Sequence, residues 1–312
     1  MSDGRTASTE PLLAIVGPTA AGKTELAIAV AERVGAEIVS VDSTTVYRGM
    51  DVGTAKPAPE ERVRVRHHLI DVAEPSEPFT VVRYQALARR ALADIRSRGM
   101  RALLVGGSGL YLRAVVDDLS FPPTDPAVRE VLVREAATVG ARSLYGRLAE
   151  LDPAAAGRID PDNVRRTVRA LEVARITGKP FSSFAEAWER YPADRVRAAG
   201  LDLPRPILHE RIERRVRDQV ANGLLDEVEG LVRRGLSGWL TASQVIGYAE
   251  FSRCVQGELS VEEAIRQTVK RTKALARRQL AWFRRDPRIL WFETGEDGAT
   301  ALVNEISEYL HG

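Results

Sequence analysis

Eight consecutive residues near the start of the chain have the types and the spacing of a phosphate-binding loop. They fit the pattern G-x-x-x-x-G-K-[ST] completely and are Gly17, Pro18, Thr19, Ala20, Ala21, Gly22, Lys23 and Thr24. Glycines in such a loop let the backbone curl, so that its amides and the N-terminus of the next helix attract phosphate oxygens. In this arrangement the Lys23 ammonium neutralises the terminal phosphates and the Thr24 hydroxyl binds Mg²⁺. The loop predicts a phosphate compound as ligand, and by itself it points most naturally to ATP.

Polar or glycine-rich residues also follow two other predicted strands. Residues 37–42 form a strand that ends on the carboxylate of Asp42, and residues 101–105 form a strand that runs into Gly106-Gly107-Ser108-Gly109. Because ligands bind at the carboxyl ends of parallel strands, we expect Asp42 and the phosphate loop to face one crevice. Two alternatives stay open, since Asp42 could instead cap a helix or turn and the glycine-rich segment could be a plain tight turn.

The elements that position these residues alternate between strands and helices. Residues 12–16 read as a buried strand, and residues 25–34 repeat their apolar side chains with helical spacing. This order predicts a P-loop NTPase-like parallel sheet flanked by helices, an α/β fold. Because the composition changes near Phe121-Pro122-Pro123, we expect residues 11–120 and 200–312 to form this core, residues 121–199 a mostly helical insertion, and residues 1–10 a disordered N-terminus. Later predicted elements are helices over 79–98, 206–234, 261–285 and 299–310 and strands over 198–203 and 289–292.

Composition excludes several kinds of site and location. The 312 residues are 44% hydrophobic and 28% charged, which is typical of a chain with a sizeable core. The one cysteine, Cys254, excludes an internal disulfide and a multi-cysteine zinc cluster, and the four histidines are too scattered for a convincing metal site. No segment reaches transmembrane length, and the polar first ten residues are not a signal peptide, so we expect a cytoplasmic protein without a membrane partner.

The predicted helix over residues 261–285 is strongly basic and carries Trp282 and Phe283 beside that charge. Basic residues interleaved with aromatic ones suit a nucleic-acid backbone and its bases, although such a run can also be only a solvated surface. The chain has neither a hydrophobic run ending in Asp-Glu nor an N-K-x-D motif, which disfavours a motor protein or a GTPase. A small-molecule kinase stays open, as does transfer of another group with diphosphate as the leaving group.

Several further motifs occur in a fixed order. They are Asp42-Ser43-Thr44-Thr45-Val46-Tyr47, Gly53-Thr54-Ala55-Lys56-Pro57, His67-His68-Leu69-Ile70-Asp71, Gly106-Gly107-Ser108-Gly109-Leu110-Tyr111, Arg169-Ala170-Leu171-Glu172-Val173, Ile246-Gly247-Tyr248 and Ala276-Arg277-Arg278-Gln279. Together with the phosphate loop, this set resembles the tRNA dimethylallyltransferase family, also called the tRNA isopentenyltransferase family, in its compact bacterial form. The chain departs from the family pattern at Ala21 (usually Ser), Ser108 (often Thr), Arg165 (commonly Gln) and Ala249 (frequently basic).

The resemblance implies a prenyl transfer to RNA. A dimethylallyl group would pass from dimethylallyl diphosphate to the exocyclic N6 amine of the adenosine that adjoins the anticodon on its 3′ side. The eight loop residues and Arg215 would bind the diphosphate, with Mg²⁺ held at Thr24. Lys23, Thr24 and Arg215 would stabilise the charge on the leaving diphosphate, and Asp42 is the implied general base.

The same resemblance implies contacts with the anticodon stem-loop of tRNA from both the insertion and the core. The implied tRNA-binding residues are Asp42, Ser43, Thr44, Thr45, Ser108, Arg129, Arg165, Arg166, Thr167, Val168, Arg169, Thr272, Lys273, Arg277, Arg278 and Gln279. We expect the protein to be a monomer.

Three other functions would use parts of the same pattern. An adenylate isopentenyltransferase would act on free AMP, ADP or ATP with the same loop and base, but it needs neither the helical insertion nor the basic helix. A P-loop kinase would transfer phosphate from ATP to a small metabolite. A non-enzymatic RNA-binding protein would leave the complete phosphate loop unexplained.

Overall fold

The computed structural model describes residues 10–184, 186–295 and 298–312. Within these residues, six parallel strands form one sheet in the order β3-β2-β4-β1-β5-β6. The strands are β1 (Leu12–Val16), β2 (Ala36–Val41), β3 (His67–His68), β4 (Arg101–Gly106), β5 (Val196–Asp202) and β6 (Ile289–Glu293). The middle strands are mostly apolar and buried, as expected for a parallel sheet covered on both faces. This α/β architecture confirms the predicted fold class.

The first helices cross between these strands. They are α1 (Lys23–Val34), α2 (Pro59–Arg64), α3 (Val81–Ser97) and α4 (Gly109–Val116). The apolar stripe of α1 packs against β2 and β4, and α3 packs on the same two strands and on α4. The Thr80 hydroxyl starts α3 by accepting a hydrogen bond from the Arg83 amide. Because all strands run in one direction, β1, β2 and β4 end at the same edge of the sheet.

Residues 119–191 form a second compact unit built of helices. Its helices are α5 (Pro126–Val139), α6 (Ala141–Leu151), α7 (Pro153–Ala156), α8 (Val164–Thr177) and α9 (Glu186–Glu189). Asp125 and Asn163 cap α5 and α8, since their side chains accept hydrogen bonds from amides in the first turn. The core of this unit includes Leu132, Leu144, Leu148, Val168 and Leu171.

The remaining helices complete the unit that contains the sheet. They are α10 (Arg205–Ala221), α11 (Leu224–Arg233), α12 (Tyr248–Val255), α13 (Val261–Phe283) and α14 (Val303–His311). Helix α10 packs against α11 and α13, and α14 packs against α1. Across the described residues, no helix is both long enough and apolar enough to cross a membrane.

Some predicted boundaries are wrong. The helix predicted over residues 206–234 is two helices, because Gly223 adopts a φ of +93° between α10 and α11. The sheet unit resumes at Pro192 rather than at residue 200, since Val196 already pairs with Leu12 of β1. The last predicted helix starts with a 3₁₀ turn over Ala299–Leu302. The predicted disorder of residues 1–10 lies, apart from Glu10, outside the described residues.

Candidate active site

A cavity of about 250 Å³ lies where three strands end. Residues 19–24 of the phosphate loop line it after β1, Asp42 lines it after β2, and Gly106 and Gly107 line it at the end of β4. Arg215 reaches the same cavity from α10. The structure therefore brings together the predicted loop, carboxylate and arginine, although they come from distant parts of the chain.

The backbone of the phosphate loop is wound into a cradle. Gly22 has a φ of +85°, in the left-handed region that favours glycine, directly before α1 begins at Lys23. Ala20 has a φ of +64°, a backbone conformation that is uncommon for a residue with a side chain. Such conformations occur preferentially at ligand-binding sites. The Lys23 ammonium donates to the Pro18 carbonyl oxygen at 2.6 Å, so the side chain folds back over the loop. The positive φ of Gly22 directly before the helix agrees with the strand–loop–helix turn that the G-x-x-x-x-G-K-T pattern predicts.

Two poorly solvated cations and one carboxylate share this cavity. Burial lowers the pKa of Lys23 to about 8; the Asp42 carboxylate opposes this shift, and the Arg215 guanidinium adds to it. Burial likewise lowers the pKa of Arg215, which Asp42 counteracts. The two positive charges repel each other until an anion binds between them. The arrangement therefore favours a ligand with several negative charges, such as a diphosphate.

Asp42 has one anchored and one unanchored carboxylate oxygen. Its Oδ1 accepts hydrogen bonds from the Thr44 amide at 2.8 Å and from the Thr44 hydroxyl at 2.6 Å. Its Oδ2 accepts no hydrogen bond from the described residues. The rings of Tyr84 and Tyr111 stack with their centroids 4.0 Å apart. Burial raises the pKa of both tyrosine hydroxyls, and the negative charge of Asp42 raises it further. A fixed carboxylate with an unused oxygen beside a phosphate cradle suits a general base.

One wall of the cavity comes from residues outside the implied diphosphate-binding and tRNA-binding sets. Thr54, Ala55 and Pro57 line it from the loop after β2, and Ile70 and His67 line it from the β3 region. The His67 Nδ1 lies 2.7 Å from the Val65 carbonyl oxygen, and burial lowers the pKa of this imidazole. The only sequence signal for this wall was the order of the motifs at residues 53–57 and 67–71.

Charged groups hold this wall in place. The Glu227 carboxylate on α11 accepts hydrogen bonds from the amides of residues 51–53 and from the Tyr248 hydroxyl. The Lys56 ammonium, 2% exposed, is bound by the carboxylates of Asp51 and Asp71. Tyr248 is fully buried, which explains the Ile246-Gly247-Tyr248 motif as packing beneath the wall. Glu227 is therefore a supporting residue that the sequence analysis missed.

Helix α13 divides its predicted RNA-binding residues between two environments. Arg277 and Arg278 are exposed, whereas Lys273 and Thr272 are half-buried. The Gln279 side chain faces inward and lines the phosphate-loop cavity. Phe283 is 1% exposed and belongs to the core, so its suggested place among surface aromatics is wrong.

A second cavity of about 710 Å³ adjoins α13 and the ends of β5 and β6. Arg205, His209, Lys273 and Arg277 line it. Burial lowers the pKa of His209, and the neighbouring Lys273 and Arg205 charges lower it further. Arg205, Lys273 and Arg277 make no ion pair or side-chain hydrogen bond with the described part of the chain, so these cations are available to an anionic ligand.

The predicted RNA-binding residues of the helical unit differ in exposure. Thr167 and Val168 are 0% and 3% exposed, so their side chains pack inside the unit, and any contact of this segment with tRNA falls to its exposed neighbours. Arg165 and Arg166, which precede them on α8, are exposed. The guanidinium groups of Arg129 and Arg169 bind the Glu172 carboxylate, which is fully buried, at 2.8 and 2.9 Å. Both arginines therefore compensate a buried charge within this unit.

The described residues contain no group of three or more His, Cys, Asp or Glu side chains that could hold a metal by themselves. Thr24 and Asp42 both line the phosphate-loop cavity. Mg²⁺ commonly binds through one or two protein oxygens together with phosphate oxygens and water. These residues fit such a shared site, in which the ligand itself supplies most of the coordination.

Comparisons with known proteins agree on one family. The sequence model described as IPP transferase matches residues 45–286. A tRNA dimethylallyltransferase of Moorella thermoacetica is 48% identical over 96% of this chain and 95% of its own length. The crystal structure of a tRNA isopentenylpyrophosphate transferase from Bacillus halodurans is 39% identical, with a TM-score of 0.69 over 96% of this chain and 97% of that one. A eukaryotic dimethylallyltransferase acting on tRNA is 25% identical, with a TM-score of 0.77 over 92% of this chain and 74% of that one.

Proposed function

The chain belongs to the IPP transferase family, and from that premise we propose that it is a tRNA dimethylallyltransferase. It transfers a dimethylallyl group from dimethylallyl diphosphate to the N6 amine of the adenosine 3′-adjacent to the anticodon and releases diphosphate. The observation that carries this proposal is the single cavity shared by a complete phosphate loop, Arg215 and Asp42. The names of the relatives favour tRNA over a free adenine nucleotide as the acceptor.

The phosphate loop holds the part of the donor that leaves. As the carbon–oxygen bond breaks, its electron pair passes to the diphosphate, where negative charge accumulates. The Lys23 ammonium, the Arg215 guanidinium and the unused loop amides all lie at this cavity, where they would stabilise the growing charge more in the transition state than in the ground state. The Thr24 hydroxyl would help to hold Mg²⁺, and the ion would supply additional charge stabilisation when bound.

Asp42 completes the proton balance of the reaction. The amine nitrogen forms a bond to the donor carbon and must lose a proton. The Asp42 carboxylate takes that proton through Oδ2, while the two Thr44 hydrogen bonds keep Oδ1 in place. A base in an RNA loop has to leave its stack to reach such a cavity, and the anticodon loop supplies an adenosine that can be turned outward.

Exposed cations on both units support binding of tRNA. Arg165 and Arg166 lie on the surface of α8, and Arg277 and Arg278 on the surface of α13. Neutralising RNA phosphates with such residues releases counterions, so affinity for the anticodon stem-loop is expected to fall steeply with salt. Action as a monomer in the cytoplasm stays a prediction.

The decisive experiment measures prenyl transfer directly. Radiolabelled dimethylallyl diphosphate, Mg²⁺ and an anticodon stem-loop with adenosine 3′ to the anticodon are incubated with the enzyme, and the RNA is then recovered. Label on this RNA, and none on a matched stem-loop with guanosine at that position, is the expected result. Label on AMP in preference to RNA would instead indicate an adenylate isopentenyltransferase, and phosphate transfer from ATP without prenyl transfer would indicate a kinase.

A further inference from the structure

The Gln279 side chain joins the last long helix to the phosphate loop. Its Oε1 accepts a hydrogen bond from the Thr19 amide at 2.9 Å, across 260 positions of sequence. The residue lies on α13 directly after the exposed Arg277 and Arg278 and is itself half-buried at the cavity. One helix thus presents cations to solvent on one side and an amide group to the phosphate loop on the other.

The same side chain also meets the turn at the end of β4. A Cβ atom added to Gly107 would lie 2.3 Å from the Gln279 Nε2, which is closer than real Cβ contacts permit. Glycine at this position therefore makes room for the Gln279 amide. The side chain is wedged between the phosphate loop on one side and the β4 turn, which leads to Ser108, on the other.

Protein contacts fix the first half of the phosphate loop and leave the second half to the ligand. The Thr19 amide is used by Gln279, and the Pro18 carbonyl oxygen is used by the Lys23 ammonium. In residues 10–184, 186–295 and 298–312, no hydrogen bond uses the amides of Ala20, Ala21 or Gly22. An anion cradle binds best when its donors are already oriented, and a loop pinned at its start meets that condition.

We propose that Gln279 is a positioning residue of the donor site, which holds the phosphate loop ready for diphosphate, and that it is not a tRNA ligand. The proposal rests on the proposed function for the nature of the donor, but the contact with Thr19 does not depend on it.

Two variants of adjacent residues separate the roles. Gln279→Leu keeps the size of the side chain but leaves the Thr19 amide unpaired, whereas Arg278→Leu removes an exposed cation from the same helix turn. For Gln279→Leu we expect the Kd for inorganic diphosphate with Mg²⁺, measured by calorimetry, and the KM for dimethylallyl diphosphate to rise roughly fivefold to a hundredfold. The Kd for the anticodon stem-loop without donor should change less than about twofold. Arg278→Leu should show the reverse pattern.

A second measurement reports on the loop without any substrate. Hydrogen exchange of the peptide that contains Thr19 should be faster in Gln279→Leu than in the wild type and unchanged in Arg278→Leu. If Gln279→Leu exchanges throughout the chain because it is unfolded, Gln279→Met takes its place in both measurements. Weakened stem-loop binding with unchanged diphosphate affinity would overturn the proposal, as would unaltered exchange at Thr19. Neither result depends on prenyl transfer, so a failure here is distinct from a failure of the proposed function.

Discussion

The lowered pKa of Lys23 predicts how donor binding depends on pH. In the free enzyme this pKa is lowered to about 8, because desolvation in the half-buried cavity, with a further contribution from the Arg215 guanidinium, outweighs the opposing effect of the Asp42 carboxylate. A bound diphosphate brings negative charge next to Lys23 and raises its pKa, so the complex holds more protons than the free enzyme does. Linkage then requires that donor affinity decrease as the pH rises above about 8. The decrease ends only when the pH exceeds the pKa of Lys23 in the complex.

The size of the effect follows from the fraction of free enzyme that carries the charged lysine. With a pKa of about 8, roughly nine-tenths of the enzyme is in that form at pH 7 and roughly one-tenth at pH 9. The Kd for dimethylallyl diphosphate should therefore rise about tenfold between these values. Calorimetry at constant ionic strength and fixed Mg²⁺ measures this Kd directly without tRNA.

Lys23→Arg is the matched control for this prediction. Its guanidinium stays protonated throughout the range, so its donor Kd should carry only the pH dependence of the ligand and of the other groups. The difference between the two proteins isolates the titration of Lys23. A wild-type Kd that is flat between pH 7 and 9, or an equal rise in Lys23→Arg, would refute the argument from burial.

Three further changes test other parts of the site. Asp42→Asn removes the base but keeps the shape of the side chain. The single-turnover prenyl-transfer rate should therefore fall roughly 10²- to 10⁴-fold, while the stem-loop Kd changes less than about threefold. An equal loss in both would make Asp42 chiefly an RNA ligand. A methyl group at Gly53 would lie 2.5 Å from the Tyr248 ring. Gly53→Ala should therefore lower the free energy of unfolding in urea by roughly 1–3 kcal/mol and raise the donor KM. No change in either quantity would contradict the tight packing of this wall. Arg166→Ala should weaken stem-loop binding and reduce the salt dependence of that binding. Thr167→Ala, in the core of the helical unit, should lower only the thermal stability. The opposite pattern would mean that the exposed and buried faces of α8 are reversed.

Local patterns in the sequence predicted the elements that depend on neighbours along the chain. The phosphate loop is eight contiguous residues whose glycines and lysine act within one turn, so its conformation could be read before any fold was known. Asp42 was placed correctly because a carboxylate directly after a parallel strand must lie at the ligand-binding edge. The break at Gly223 escaped prediction, since the helical pattern continues on both sides of it.

Burial and long-range contacts depended on the tertiary structure. Arg165 and Thr167 stand two positions apart on one helix, yet packing of α8 exposes the first and buries the second. Gln279 follows two exposed arginines in sequence, and only the approach of α13 to the phosphate loop shows that it bonds to Thr19.

The sequence by itself therefore determined the chemistry of the phosphate cradle and the type of its surrounding fold, because backbone curvature and helix starts are set over a few residues. The tertiary structure decided which further groups complete the cavity beside the predicted Arg215, among them Gln279 and the wall held by Glu227. It also lowered the pKa of Lys23, because the desolvation responsible arises only when separate helices and strands close around one charge.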